Sequence, residues 1–189
     1  MSKKLSIKKM SLCALFTALI AVGAFIKIPV PLVPFTLQTM FVTLAGLLLG
    51  GEIGGLSALL YMVLGLIGIP VFTGGGGFNY VLKPTFGYII GFCIAAYTIG
   101  KMTHKGSGAA SLKQMIIAML VGLGIIYLIG LIYFYIIMNF VSGTGVSVAK
   151  VLTVGFLMTI PGDLITCSLA CVVSKRIQPH ISKYINYPI

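Results

Sequence analysis

One carboxylate stands in the middle of an apolar run. Asp163 lies within Thr159-Ile160-Pro161-Gly162-Asp163-Leu164-Ile165-Thr166, and the chain holds one other acid, Glu52. A carboxylate at mid-membrane is costly and normally faces a cavity, a partner or a pathway. Pro161 and Gly162 just before it loosen a helix and free backbone groups for a ligand. Two readings stand for Asp163: a contact to a bound or moving solute, or a structural hydrogen bond to a neighbouring helix. Asn79 and Gln38 come next. Each carries an amide that both donates and accepts. Each sits beside aromatic residues at the edge of an apolar run: Phe78 and Tyr80, or Phe35. Such groups in apolar surroundings suit a small, mostly neutral ligand, or serve as loop caps. Glu52, among glycines, reads as a turn or helix-start residue.

Other chemistries lack their residues. No GxxxxGK[ST] occurs, because Gly100-Lys101 is followed by Met102 and lacks the earlier glycine. The chain therefore carries no phosphate cradle of that type. There is no HExxH, and no Ser, His and acid cluster within a span suggests a hydrolase. Cys13, Cys93, Cys167 and Cys171 have no CxxC partner and read as small packing residues. An enzyme is not expected, and neither is a metal or a resident cofactor.

The elements that position these residues follow from composition. Of 189 residues, 59% are apolar and 8% charged, with mean hydropathy +1.14. Soluble domains are about 45–50% apolar and about 25% charged. The expected fold is an all-α integral membrane protein, a single domain over 1–189. Six apolar runs mark spans near 10–26, 37–50, 53–69, 84–100, 114–140 and 151–173. The second is short and the fifth long enough to tilt. Six spans put both termini on one side. With the N-terminus inside, ten basic residues are cytoplasmic: Lys3, Lys4, Lys8, Lys9, Lys101, Lys105, Lys113, Lys175, Arg176 and Lys183. Three lie outside: Lys27, Lys83 and Lys150. Basic residues collect on the cytoplasmic side, so the asymmetry gives N-in, C-in. It also accounts for the net charge of +11 without invoking nucleic acid.

The outer loops are rich in proline and glycine. One holds Pro29, Pro31 and Pro34; another holds Gly74-Gly75-Gly76-Gly77 before Phe78-Asn79-Tyr80. They read as a cap over an outward-facing site, or as tight turns. On the first span Ser11, Ala14, Ala18 and Ala21 share one face. Small residues let another helix approach closely in lipid, within this chain or from a partner. Gly46, Gly50 and Gly54 read as internal packing.

Several stretches together are specific. Ile28-Pro29-Val30-Pro31-Leu32-Val33-Pro34-Phe35-Thr36-Leu37-Gln38-Thr39 resembles the signature of biotin-specific S components of energy-coupling-factor (ECF) transporters, the BioY family. So do Gly68-Ile69-Pro70-Val71-Phe72 with the glycine run, Pro84-Thr85-Phe86-Gly87-Tyr88, and Pro161-Gly162-Asp163-Leu164-Ile165. The motifs follow the family's order over nearly the whole chain. The resemblance implies a compact bundle of six transmembrane helices in the bacterial cytoplasmic membrane, with biotin in an outward-facing pocket. It implies partners: a transmembrane coupling protein, docked on the AxxxA unit matched by Ala14 and Ala18, and two cytoplasmic ATPases. It implies that Asn79 and Asp163 contact the ligand, that Phe35, Thr36 and Gln38 belong to a lid, and that Tyr88 lies in a site motif. Family members commonly carry a lysine three residues after the Pro-Gly aspartate; Thr166 stands there, one helical turn from Asp163.

The mechanism expected from this likeness is capture without catalysis. Asp163 accepts from the ureido N–H groups of biotin, and Asn79 adds an amide hydrogen bond. The glycine run and aromatics pack the ring body. Lys83, by position alone, offers an outer cation for the valerate. Two other readings remain open at the level of sequence: an S component for another vitamin, and a stand-alone secondary transporter using Asp163.

Overall fold

The computed structural model describes residues 6–28, 32–104 and 110–185, with side chains as far as His180. Pro29 and Pro31 of the proline loop, and the basic residues Lys3, Lys4 and Lys105, lie outside the described residues. The rest is almost entirely helical. Five segments are long and apolar enough to cross a membrane: Ile7–Phe25, Gln38–Leu66, Phe86–Thr103, Leu112–Val141 and Val148–His180.

Helix α1 (Ile7–Phe25) starts at Ser6, whose hydroxyl accepts from the Lys9 amide. Such a cap satisfies one of the free N–H groups at a helix start. Cys13, Phe16, Thr17, Ile20 and Ala24 recur at helical spacing and are buried; Ala14, Leu15, Ala18 and Val22 face outward. After α1 the chain makes a small hairpin, β1 (Lys27–Ile28) against β2 (Phe35–Thr36), antiparallel with Lys27 opposite Thr36.

Two expected spans, 37–50 and 53–69, fall within one element, α2 (Gln38–Leu66). It is not straight. Gly50 has φ 77° and ψ 173°, open to glycine and strained for other residues. The Gln38 amide donates to the Tyr61 hydroxyl at 2.7 Å, although 23 residues of straight helix would separate them by about 35 Å. A Cβ on Gly54 would stand 2.8 Å from the Ala45 carbonyl oxygen. The arms 38–49 and 51–66 therefore lie side by side, with Gly50 as the corner. Helix α3 (Phe86–Thr103) packs into that corner, where a Cβ on Gly100 would fall 2.1 Å from the Gly51 amide nitrogen. Glu52 begins the second arm and pairs with Lys101 at 3.4 Å. Both side chains are largely exposed, so the pair contributes little stability.

Helix α4 (Leu112–Ile136) is capped by Ser111 and runs on into a π turn, Ile137–Val141. The last span departs most from expectation. Instead of one helix over 151–173, Ser147 caps α5 (Val148–Leu152), a π turn follows at Thr153–Leu157, and α6 runs from Ile160 to Ile185. The interruption falls just before Asp163. Buried Tyr61, Phe72, Phe92, Ile99, Met119, Ile126 and Phe134 form the main core; Phe16, Leu44, Leu48, Ile53 and Ala170 form a second between α1, α2 and α6.

The four glycines have a structural explanation. Gly75 and Gly77 have φ of 109° and 102°. A Cβ on Gly76 would meet the Ile69 carbonyl oxygen at 2.3 Å. The run winds the chain tightly past Phe72, which is buried against Tyr61 and Tyr80 with ring centroids 5.3 and 4.5 Å apart. Its glycines shape the loop behind the site and are not among the residues that line the cavity.

Candidate binding site

Asp163 sits on the first turn of α6, buried, and one wall of a cavity. The Tyr127 hydroxyl, from α4, donates to its Oδ2 at 2.5 Å. Thr159 Oγ1 lies 3.0 Å from the same phenol oxygen. A phenol has one proton; with it committed to the carboxylate, the phenol oxygen can only accept from Thr159, and the Phe156 and Gly155 carbonyl oxygens, at 3.2 and 3.3 Å from Thr159 Oγ1, compete for that hydroxyl's proton. The Tyr127 ring is held edge-on by Tyr88 and Phe156, at centroid distances of 6.1 and 5.0 Å. Thr39, from the first arm of α2, also directs its hydroxyl toward the carboxylate. Oδ1 is buried and has no hydrogen-bond partner among the described residues.

The remaining walls alternate apolar surface with hydroxyls. Val33, Phe35, Ile89, Phe92 and Ile126 supply the apolar part; Thr36, Thr39, Thr73, Tyr80, Thr85 and Tyr88 supply oxygens. The empty space between these walls, open mouth and adjoining solvent included, is about 540 Å³. Most of the polar groups are already tied. Gln38 accepts from Thr36 at 3.4 Å and donates to Tyr61, whose hydroxyl donates to the Val71 carbonyl at 3.2 Å. Tyr80 Oη lies 2.9 Å from Thr73 Oγ1 and 3.2 Å from Thr85 Oγ1. Tyr88 donates to the Gly155 carbonyl at 2.9 Å, on the π turn. The lining therefore sets apolar surface around one buried carboxylate, Asp163, within a hydrogen-bonded frame, the kind of surroundings that suit a small, largely apolar solute carrying a donor.

The BioY family model matches residues 1–183. The chain belongs to the BioY family. It is 46% identical over 177 residues to the probable biotin transporter BioY of Lysinibacillus sphaericus, covering 94% of this chain and 90% of that one. It is 41% identical to the probable biotin transporter BioY of Pyrococcus horikoshii, covering 90% and 96%. Its fold is similar to a crystal structure of the S component for biotin from an ECF-type ABC transporter, with TM-score 0.79, 30% identity and 95% of each chain covered. It is a multi-pass membrane protein.

Within this BioY-family fold, Asp163, Gln38, Thr36, Phe35 and Tyr88 all line one cavity. Three other candidates do not. Asn79 is exposed on the 3-10 turn Phe78–Leu82, next to Tyr80, which does line the cavity. Lys83 is exposed; its ammonium donates to the Gly74 carbonyl at 3.1 Å and lies 4.9 Å from the Tyr80 ring centroid. Lys27 donates to the neighbouring Thr73 carbonyl at 3.1 Å, so two cations flank one wall. Thr166 turns its hydroxyl back to the Gly162 carbonyl at 3.0 Å, the local bond a helical threonine makes when nothing stronger competes. Ala14 and Ala18 lie far from the cavity in sequence and face outward on α1.

The sequence reading missed Tyr127, Thr159, Thr39, Tyr80, Thr73 and Thr85. Hydroxyls scattered through apolar helices carry no local signature. One signal was available: Tyr127 interrupts the aliphatic run Ile125-Ile126-Tyr127-Leu128, where a phenol needs a buried partner.

Proposed function

We propose that this chain captures biotin on the outer side of the membrane as the S component of an ECF-type transporter. The observation that carries the reading is the cavity built on Asp163, with one buried carboxylate oxygen left for a donor. Biotin fits that chemistry. Its ureido N–H groups meet Oδ1; its thioether ring meets Phe35, Ile89, Phe92 and Ile126; its valerate extends toward the wall flanked by Lys27 and Lys83. Asn79 joins from the 3-10 turn when the outer loops close, and Phe35, Thr36 and Gln38 act as the lid. Thr166 leaves the ureido oxygen without the ammonium common in the family.

The proposed topology has six spans with both termini inside. The fold-back at Gly50 supports it by dividing α2 into two crossings, and the charge asymmetry supports the direction. The proposed partners are a transmembrane coupling protein and two cytoplasmic ATPases that supply energy for release. Ala14 and Ala18 support a docking role because their face is not used within the chain. Replacing both with leucine abolishes biotin uptake by cells while the purified protein still binds biotin; equal loss of both contradicts the docking role.

The direct test is calorimetric titration of detergent-solubilised protein, with competition by other vitamins. One-to-one binding of biotin, undisturbed by excess riboflavin, thiamine or folate, is the expected result. Binding of one of these with no binding of biotin contradicts it and makes Thr166 the mark of a changed specificity.

A further inference from the structure

We propose that Tyr127 is a positioning residue that divides the Asp163 carboxylate into one tied oxygen and one recognising oxygen. The inference rests on the biotin reading above. Three observations carry it. The phenol donates to Oδ2 at 2.5 Å, a charge-assisted bond of the short, strong kind. Its ring is restrained, because Tyr88 and Phe156 pack against it edge-on and the residue is buried. Oδ1, on the same carboxylate, is buried at the cavity wall without a partner.

A free carboxylate rotates about its terminal torsion over a broad, two-fold profile and presents either oxygen. Tying Oδ2 fixes the plane and leaves Oδ1 as the acceptor. No described cation lines the cavity, and Thr166, at the family's lysine position, bonds its own helix instead. The orienting groups are therefore neutral hydroxyls: Tyr127 from α4, 36 residues away in sequence and bonded to Oδ2, with Thr39 from α2 directed toward the same carboxylate. Recognition then selects a ligand that brings a donor to one point, and disfavours one that brings only acceptors. An N–H of a cyclic urea qualifies; the same ring alkylated on nitrogen does not.

The chain contains a single aspartate, which makes the test direct. Protein synthesised with carboxyl-labelled aspartate reports the Asp163 carboxylate alone by infrared difference spectroscopy. Wild-type protein is compared with Tyr127→Phe, before and after biotin, and both are titrated with biotin. The inference expects the labelled carboxylate band to move on Tyr127→Phe without ligand, and biotin affinity to fall about tenfold or more. In an Asp163→Asn background the same Tyr127→Phe change should cost less than about twofold, since its partner is already altered. An unmoved band overturns the inference, as does an affinity loss of equal size in both backgrounds, which is the mark of a packing role. If Tyr127→Phe proves too unstable to titrate, Thr159→Val probes the same chain of bonds from its far end, and an unmoved band there counts against the inference equally. Failure of wild-type protein to bind biotin overturns the biotin reading and this inference with it; failure confined to Tyr127→Phe and its controls leaves that reading standing.

Discussion

Two helix interruptions among the described residues, the corner at Gly50 and the π turn before Asp163, are treated in opposite ways. At Gly50 the corner is filled. Glycines from α2 and α3 bring main chain against main chain, and a Cβ on Gly100 would stand 2.1 Å from a backbone nitrogen. At 153–159 the interruption is left open on one side. Its carbonyl at Gly155 takes the Tyr88 hydroxyl, Thr159 bonds Tyr127, and Asp163 follows on the first turn of α6 beside a cavity. Irregular backbone at membrane depth persists only where protein buries it or it lines a cavity. The break before Asp163 uses the second solution; the corner at Gly50 is instead the turn between the two arms of α2, closed by main-chain packing. The difference separates what holds the bundle together from what the bundle holds.

Substitutions at each place should therefore fail differently. The largest effect is expected at the corner. Gly100→Ala forces a methyl into main chain that has no rotamer to yield, so a loss of about 3 kcal/mol or more is expected. The measure is the thermal midpoint and the monodisperse fraction after extraction; near-wild-type values would mean the corner is looser than described. Second is Asp163→Ala, which should weaken biotin binding about tenfold or more and leave the thermal midpoint nearly unchanged. Collapse of the fold instead would turn the acid into a structural element like the corner. Third is Gly162→Ala. Here the added methyl meets the Phe35 ring at 2.6 Å, a side chain that can move, so folding is retained while biotin dissociates several-fold faster as Phe35 is displaced from the cavity wall. Stopped-flow dissociation rates decide it. Smallest is Lys83→Met, expected to weaken biotin about two- to fivefold at low salt and to leave biotin amide unaffected, because an exposed charge is screened. An equal loss for both ligands would point to the Gly74 contact rather than to the valerate.

These contrasts also mark what sequence could deliver. Asp163 was legible because a lone acid in an apolar run is conspicuous on energetic grounds alone. Gln38 was reached from its amide at the edge of an apolar run, and Thr36, Phe35 and Tyr88 through motifs. The tight link near Gly50 was legible from the short second run and the double glycine. The orienting network was not. Tyr127 and Thr39 meet Asp163 only through packing between helices distant in sequence; the interrupted aliphatic run at Tyr127 and the motif ending at Thr39 do not say which group each one meets. The break in the last span was half legible: Pro161 and Gly162 pointed to a loosened helix, whereas the π turn lies upstream of them, in Thr153–Leu157, where no residue type demands it. For the glycine run, the structure favours the tight-turn alternative over the cap. Composition suggested close approach to a ligand, and the backbone angles instead assign those residues to wrapping Phe72.

The central claim is that biotin enters with its ureido ring toward Asp163 and its valerate toward the lysine-flanked wall. The structure of the biotin complex tests it most directly. The account predicts a ureido nitrogen about 2.7–3.2 Å from Asp163 Oδ1, with Oδ2 still bonded to Tyr127 and the carboxylate of biotin near Lys27 and Lys83. Biotin bound with its valerate inward, or bound outside this cavity, would contradict it.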